Sequence, residues 1–212
     1  LTKKLPSKKD SRTILKLREN QNILLLMPAS RPQELKYVLP TFLKTAKKLQ
    51  LRYPSLIVYI PSCRRNFDEK FRKGLEKYEI KGKVISQQDD AELIPYIYSL
   101  AKLALCKSGT VNMELALYGI PQIIGYKVSR VTAFIAKRIL NFKVRFISPV
   151  NLLMKKFIIP EFVQKNFIED KIFYKACRLL DLTSEKAKIK KGYTLLKKEL
   201  GEEGVVDRAA KE

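Results

Sequence analysis

The sequence contains no histidine. That excludes Ser-His-Asp and Cys-His nucleophilic schemes and removes the commonest metal ligand. General-base work falls to a carboxylate or to a group outside the chain. Cysteine is scarce: Cys63, Cys106 and Cys177 are odd in number and form no C-x-x-C pair. This argues against a disulfide framework or a zinc cluster and fits a reducing compartment. No apolar run reaches the roughly 18 residues of a membrane span. The first residues lack the basic start, apolar middle and cleavage site of a signal peptide. Acid is the other shortage, with 21 Asp+Glu against 43 Lys+Arg and a net charge of +22. Such a field attracts phosphates, nucleic acid or anionic lipid. A Lys-rich solvated surface in a compositionally biased genome accounts for the excess equally well.

What is present is an ordinary globular composition, 46% hydrophobic and 30% charged over 212 residues, enough to bury a core without staples. Apolar runs at Ile23–Met27, Leu56–Ile60, Lys83–Ser86, Leu103–Cys106 and Pro121–Tyr126 read as strands, the first two buried on both faces. Between them lie helical patterns, led by Leu35, Val38, Leu39, Phe42, Leu43 and Ala46, then Phe67–Tyr78, Ala91–Leu100 and Thr110–Tyr118, with Gly119 as a stop. Val131–Asn141 reads as an apolar-faced helix. After about residue 160 strand signals stop, and Gln164–Leu182 and Ser184–Leu200 read as helices. The expected fold is α/β: a Rossmann-like parallel sheet with helices on both faces, followed by C-terminal helices. The expected division is a linker segment at 1–22, a Rossmann-like domain at 23–182 and a helical extension at 183–212.

In such sheets ligands sit beyond the carboxyl ends of the strands, which singles out two turns. The first is Pro28-Ala29-Ser30-Arg31. Ser30 with Gln33 forms a capping-box pattern and Pro32 suits a first helical turn. The helix N-terminus favours an anion, and Arg31 can grip a phosphate with two bonds. The alternative is a plain cap with a surface arginine. The second turn is Lys107-Ser108-Gly109-Thr110, with Glu114 one helical turn on. Gly109 permits close backbone approach, Ser108 and Thr110 offer hydroxyls, and Glu114 can accept both hydrogen bonds of a ribose diol. The alternative is a helix cap with an exposed glutamate. The turn matches neither the Walker loop nor G-x-G-x-x-G.

A third region, Gly125–Asn151, mixes charge and grease. From Lys127 to Lys165 there are nine Lys/Arg and one acid, Glu161, among many Phe, Ile and Leu. Arg130, Phe134, Lys137 and Arg138 suit the surface of an anionic membrane, or else a packed helix with a solvated basic back. Asn151, polar amid apolar neighbours, is expected to bond something specific, backbone or ligand.

The ordered set Pro28-Ala-Ser-Arg31, Ser108-Gly-Thr-Val-Asn-Met-Glu114, Gly125-Tyr126-Lys127, Ala136-Lys-Arg138 and Ser148-Pro-Val-Asn151-Leu-Leu resembles lipid A disaccharide synthase, most nearly its cyanobacterial and plant-type members. The resemblance spans about Leu24 to Leu180 and implies one half of a GT-B glycosyltransferase, a peripheral protein of the cytoplasmic face of the inner membrane. It implies inverting transfer of diacylglucosamine from its UDP carrier to a diacylglucosamine phosphate acceptor, forming a β-1,6 link, with no cofactor and no metal. By position, Ser30 and Arg31 would face the diphosphate and sugar. Ser108, Gly109 and Thr110 would face the diphosphate, Glu114 would hold the ribose, and Tyr126 and Asn151 would complete the donor site. No catalytic residue is expected in this chain, because the family's acceptor chemistry depends on carboxylates of an N-terminal domain. Ala29 departs from the family's usual glycine. With Leu1 in place of a start methionine, the chain is expected to be part of a longer enzyme and inactive alone. The competing readings are another UDP-sugar GT-B transferase and a basic nucleic-acid-binding module.

Overall fold

The computed structural model describes residues 4–28, 31–129 and 145–201. In chain order the elements are α1 (Lys8–Leu15), β1 (Asn22–Met27), α2 (Pro32–Arg52), β2 (Leu56–Ser62), α3 (Arg65–Lys77) and β3 (Gly82–Ser86). Then come α4 (Ile94–Leu100), β4 (Ala101–Lys107), α5 (Val111–Leu117), β5 (Gln122–Tyr126), α6 (Pro149–Met154), β6 (Glu161–Val163), α7 (Glu169–Asp181) and α8 (Thr183–Leu200). Single 3-10 turns at Ala91–Leu93 and Gln164–Asn166 precede α4 and α7.

The six strands form one sheet in the order β3-β2-β1-β4-β5-β6, and every neighbouring pair is parallel. Ile23, Leu24, Leu25 and Leu26 are wholly excluded from solvent, as the continuous apolar run predicts for a central strand covered on both faces. Both faces are covered by helices. On β5, Gly125 meets Phe42 of α2 and Phe167, whereas Gln122, on the opposite face by the two-residue period of a strand, meets Tyr193 of α8. One buried cluster runs from Leu15 of α1 to Leu196 of α8. The C-terminal helix thus contributes Ile189, Tyr193 and Leu196 to the same core as the sheet.

Three expectations change. Strands do not stop at residue 160: β6 extends the sheet, pairing Ile124–Tyr126 with Glu161–Val163. It is too short for a periodic pattern, and it begins with an acid whose carboxylate is consumed by donors from residues 147–151. The helix expected from Gln164 begins only at Glu169. Gln164 is left-handed (φ 50°), and Phe167 turns inward to meet Phe42 edge-on, ring centres 5.4 Å apart. Finally, the N-cap of α2 is Arg31, not Ser30, with no side-chain capping bond; Pro32 is at its first position as expected. The expected helix at Val131–Asn141 lies outside the described residues.

Gly125 leaves no room for a side chain. A Cβ there would sit 2.2 Å from the Phe167 ring and 2.7 Å from Phe42, and both rings are buried. Gly125→Ala is therefore expected to cost about 1–3 kcal/mol of stability, the usual cost of overpacking. A urea midpoint equal to that of the unmutated chain would contradict this packing.

Candidate functional site

The order β3-β2-β1-β4-β5-β6 reverses direction between β1 and β4. At that point the outgoing crossovers diverge to opposite faces and leave a crevice at the carboxyl ends of the strands. A cleft of about 480 Å³ lies there. It is lined by Met27 at the end of β1, Cys63 after β2, Gln87 after β3, the Lys107–Thr110 turn after β4, and Glu114 of α5. Four residues expected from sequence, Ser108, Gly109, Thr110 and Glu114, therefore share one cavity.

The turn after β4 is shaped from below. Asn112, fully buried, accepts a hydrogen bond from the Gly109 N–H (2.9 Å) and donates to the Lys107 carbonyl (3.2 Å). Gln122 of β5 donates to the Asn112 carbonyl (2.9 Å) and to the Tyr193 hydroxyl (3.1 Å), and Tyr193 donates to the Ile120 carbonyl. Burial pushes the thiol of Cys106, beside this network, far above its ordinary range. It is therefore a neutral packing group and no nucleophile. Ser108 is already engaged: its hydroxyl donates to the Ile147 carbonyl, tying the turn to the segment before α6.

Glu114 stands at the mouth, facing a shallower recess that it shares with Tyr98 and Tyr118. Partial burial raises its carboxyl above the usual carboxylate range, while a hydrogen bond from Tyr98 works the other way. The phenol of Tyr98 is itself pushed up by burial and by the Glu114 charge.

A second recess of about 460 Å³ opens between α2 and the end of β5, lined by Arg31, Glu34, Tyr37, Tyr126 and Lys127. Arg31 and Tyr126 are thus together, but apart from the Ser108–Glu114 group. The divider is an ion pair that sequence reading did not single out: Lys107 Nζ lies 2.6 Å from Glu34 Oε1, both side chains largely buried, and 6.0 Å from the centre of the Tyr126 ring. Lys107 lines the first cavity and Glu34 the second. The strand-end rule that picked Ser108 also picks Lys107 and Gln87.

Asn151 is not at either cavity. It is fully buried, accepts from the N–H groups of Ile158 (2.8 Å) and Ile159 (3.0 Å), and donates to the Ile159 carbonyl and to Glu161. Its amide is committed to protein partners, which is the backbone alternative of the sequence reading. Ala29, Ser30, Arg130, Phe134, Lys137 and Arg138 lie outside the described residues. No described helix is long and apolar enough to cross a membrane.

A six-stranded parallel sheet with its crevice at the β1/β4 switch defines a Rossmann-like domain. Solved structures agree on the fold. WaaG, a glycosyltransferase involved in lipopolysaccharide biosynthesis, superposes with TM-score 0.62 at 14% identity over 98% of this chain and 51% of its own. The C-terminal domain of a group 1 family glycosyl transferase from Francisella tularensis gives 0.58 at 14% identity over 90% and 91%. MnaA of S. aureus, solved with UDP, gives 0.64 at 12% identity over 97% and 47%. The family itself is shown by sequence. The lipid-A-disaccharide synthetase family profile matches residues 1–211, and the chain belongs to that family. Lipid-A-disaccharide synthase of Prochlorococcus marinus is 46% identical over 98% of this chain, and that of Synechocystis is 35% identical over 99%. The chain spans about half the length of these relatives, 53% and 52%.

If Asn112 is what shapes the turn, Asn112→Ala removes the side-chain bonds to the Gly109 N–H and the Lys107 carbonyl. The expected cost is about 1–3 kcal/mol, with faster amide hydrogen exchange at Gly109. Unchanged exchange at that amide would show that the turn holds itself.

Proposed function

We propose that this chain is the donor-binding half of a lipid A disaccharide synthase and that the cleft at the β1/β4 switch holds the nucleotide of a UDP-linked acylated glucosamine. The observation that carries the reading is the convergence of Ser108, Gly109, Thr110 and Glu114 on one cavity at that crevice. Glu114 would accept the ribose hydroxyls, and the Gly109 turn, with Lys107 beside it, would lie along the diphosphate. Arg31 and Tyr126, in the adjoining recess, would face the sugar side. Asn151 would act indirectly, by fixing Glu161 and the segment that receives the Ser108 hydroxyl.

In the reaction proposed, a hydroxyl of the acylated glucosamine phosphate acceptor attacks the anomeric carbon from the face opposite UDP. The bond from that carbon to the phosphate oxygen breaks, its electron pair leaves with UDP, and the configuration inverts. The hydroxyl proton goes to a carboxylate of the N-terminal half. The role of Lys107 and Arg31 is electrostatic, stabilising the charge that accumulates on the leaving diphosphate. Both lipid substrates reside in a membrane. The basic, apolar segment with Arg130, Phe134, Lys137 and Arg138 would hold the enzyme on the anionic cytoplasmic face of the inner membrane.

The direct test is calorimetric titration with UDP. Hydrogen bonds to charged groups are worth about 1.5–3 kcal/mol, so Glu114→Ala should weaken binding roughly tenfold to hundredfold. An unchanged affinity would remove Glu114 from the site. The raised Glu114 carboxyl adds a pH signature. Raised above its unfolded value, it takes up a proton more readily when folded, so its burial cost to stability is relieved as pH falls through the folded pKa. UDP binding, which needs the ionised form, should weaken over the same range. The two trends run in opposite directions, and both should vanish in Glu114→Gln. The 212 residues alone are expected to bind UDP without transferring sugar; measured turnover would place the base in this half.

A further inference from the structure

At the end of the sheet opposite the cleft, where β1, β4 and β5 begin, lies a cavity of about 260 Å³ bordered by Asn22, Ser99 and Pro121. Five cations line it: Lys8 and Arg12 from α1, Lys102 from β4, and Lys186 and Lys190 from α8. The two helices each present basic residues four apart, hence on one face, with Lys102 lining the same cavity. Like charges so spaced repel, and an ordinary surface interleaves acids to relieve them. Here the acids adjacent in sequence are engaged elsewhere. Asp10 is bonded to Ser7, and Glu185 is bonded to Lys175 and Arg178, with Lys188 also close. Among the described residues none of the five cations pairs with an acid.

Two of the five have structural employment. Arg12 donates to the carbonyls of Arg18 and Gln21, and Lys186 donates to the Leu180 carbonyl. These bonds fix the positions of both charges without neutralising them. Lys8, Lys102 and Lys190 are left with their donors free for something else among the described residues. The repulsion is felt at Lys102, whose ammonium is pushed below its ordinary range first by burial and then by Lys8, Lys186, Arg12 and Lys190.

We infer that this pole is a second anion site that binds a multiply charged phosphate group, separate from the nucleotide cleft. Five cations around one concavity, without an acid partner among the described residues, repel one another and are complementary to such an anion. The cavity exceeds the size of one phosphate and suits a diphosphate or the headgroup of a phosphate-bearing lipid. A single dispersed basic surface would not place its charges around one hollow.

The test is titration of the 212-residue chain with pyrophosphate in the presence of saturating UDP, so that the cleft is occupied. The comparison is with Lys102→Ala/Lys190→Ala and with a charge-matched control, Lys70→Ala/Lys83→Ala, on α3 and β3. All four lysines are exposed, so folding should survive; the UDP affinity of each variant is the check, and it also separates this inference from the nucleotide reading. Expected is submillimolar pyrophosphate binding that the first pair weakens by about tenfold or more, the scale of one lost charge-assisted bond, and that the control leaves intact. A parallel arm measures sedimentation with phosphatidylglycerol vesicles against phosphatidylcholine vesicles. Vesicle binding lost with Lys102 and Lys190 and displaced by pyrophosphate identifies a lipid headgroup as the source; vesicle binding untouched by them, with pyrophosphate binding lost, identifies a soluble phosphate. No binding of either probe, or equal loss in the control pair, overturns the site.

Discussion

Because β1 hands its crossover to α2 on one face of the sheet and β4 hands its own to α5 on the other, a crevice is left among the described residues at their carboxyl ends. Everything else about the site follows from that divergence. The residues that end β1 and β4 are fixed by pairing within the sheet, Met27 beside Cys106. The Lys107–Thr110 turn starts from a rigid position and opens into the crevice, while Arg31, at the start of α2, lines the adjoining recess. A cleft placed this way needs no hinge or lid to exist, and its walls are as stable as the sheet itself. Loops held by a rigid scaffold are where fold families vary their chemistry. Solved domains of 12–14% identity to this chain, among them one with UDP bound, accordingly keep the same fold.

The turn after β4 depends on a polar network that crosses the domain. Asn112, Gln122, Tyr193 and the Ile120 carbonyl form a chain of hydrogen bonds from the cleft floor to α8. Buried polar groups are costly unless each is bonded, and a fully bonded set rigidifies what it touches. Here the set lies directly beneath a glycine turn whose backbone must hold its shape. Tyr193 belongs to the helix set apart in sequence as an extension, yet it supplies the hydroxyl that completes the network. On the other side, Ser108 joins the turn to Ile147, and Glu161 holds Ile147, Ser148 and Asn151. The turn is therefore clamped between α8 below and β6 beside it.

Much of this fold was legible because its signals are local. A four-leucine-sized apolar run such as Ile23–Leu26 has few uses other than a doubly covered strand. The alternation with helical periods leaves a parallel sheet as the natural assembly. The strand-end rule then selects two turns out of many, and one of them lines the cleft with all four of its residues, Lys107 to Thr110. β6 escaped because three residues carry no period and because an acid heads them. The start of α7 was displaced because Phe167 is drawn into the core by Gly125 and Phe42, a tertiary preference that overrides a local one.

The pairings that divide and brace the site were not legible, and for a different reason. Glu34 and Lys107 come from separate crossover units, and nothing in either neighbourhood marks the other as its partner. Each residue alone reads as solvated charge on a helix or strand end. Their pairing, largely shielded from water, makes sense only once β1 and β4 are adjacent. It also changes the electrostatics of the crevice. Lys107 is not a bare cation there, since it shares its charge with Glu34, whose second oxygen has no hydrogen-bond partner among the described residues. Asn151 makes the same point in reverse. Its isolation among apolar residues correctly marks a specific hydrogen-bonding role, but a ligand and a backbone are chemically alike to an amide. Only the position of Ile158, Ile159 and Glu161 decides between them. Residue type predicts that a bond must be made; topology decides with whom.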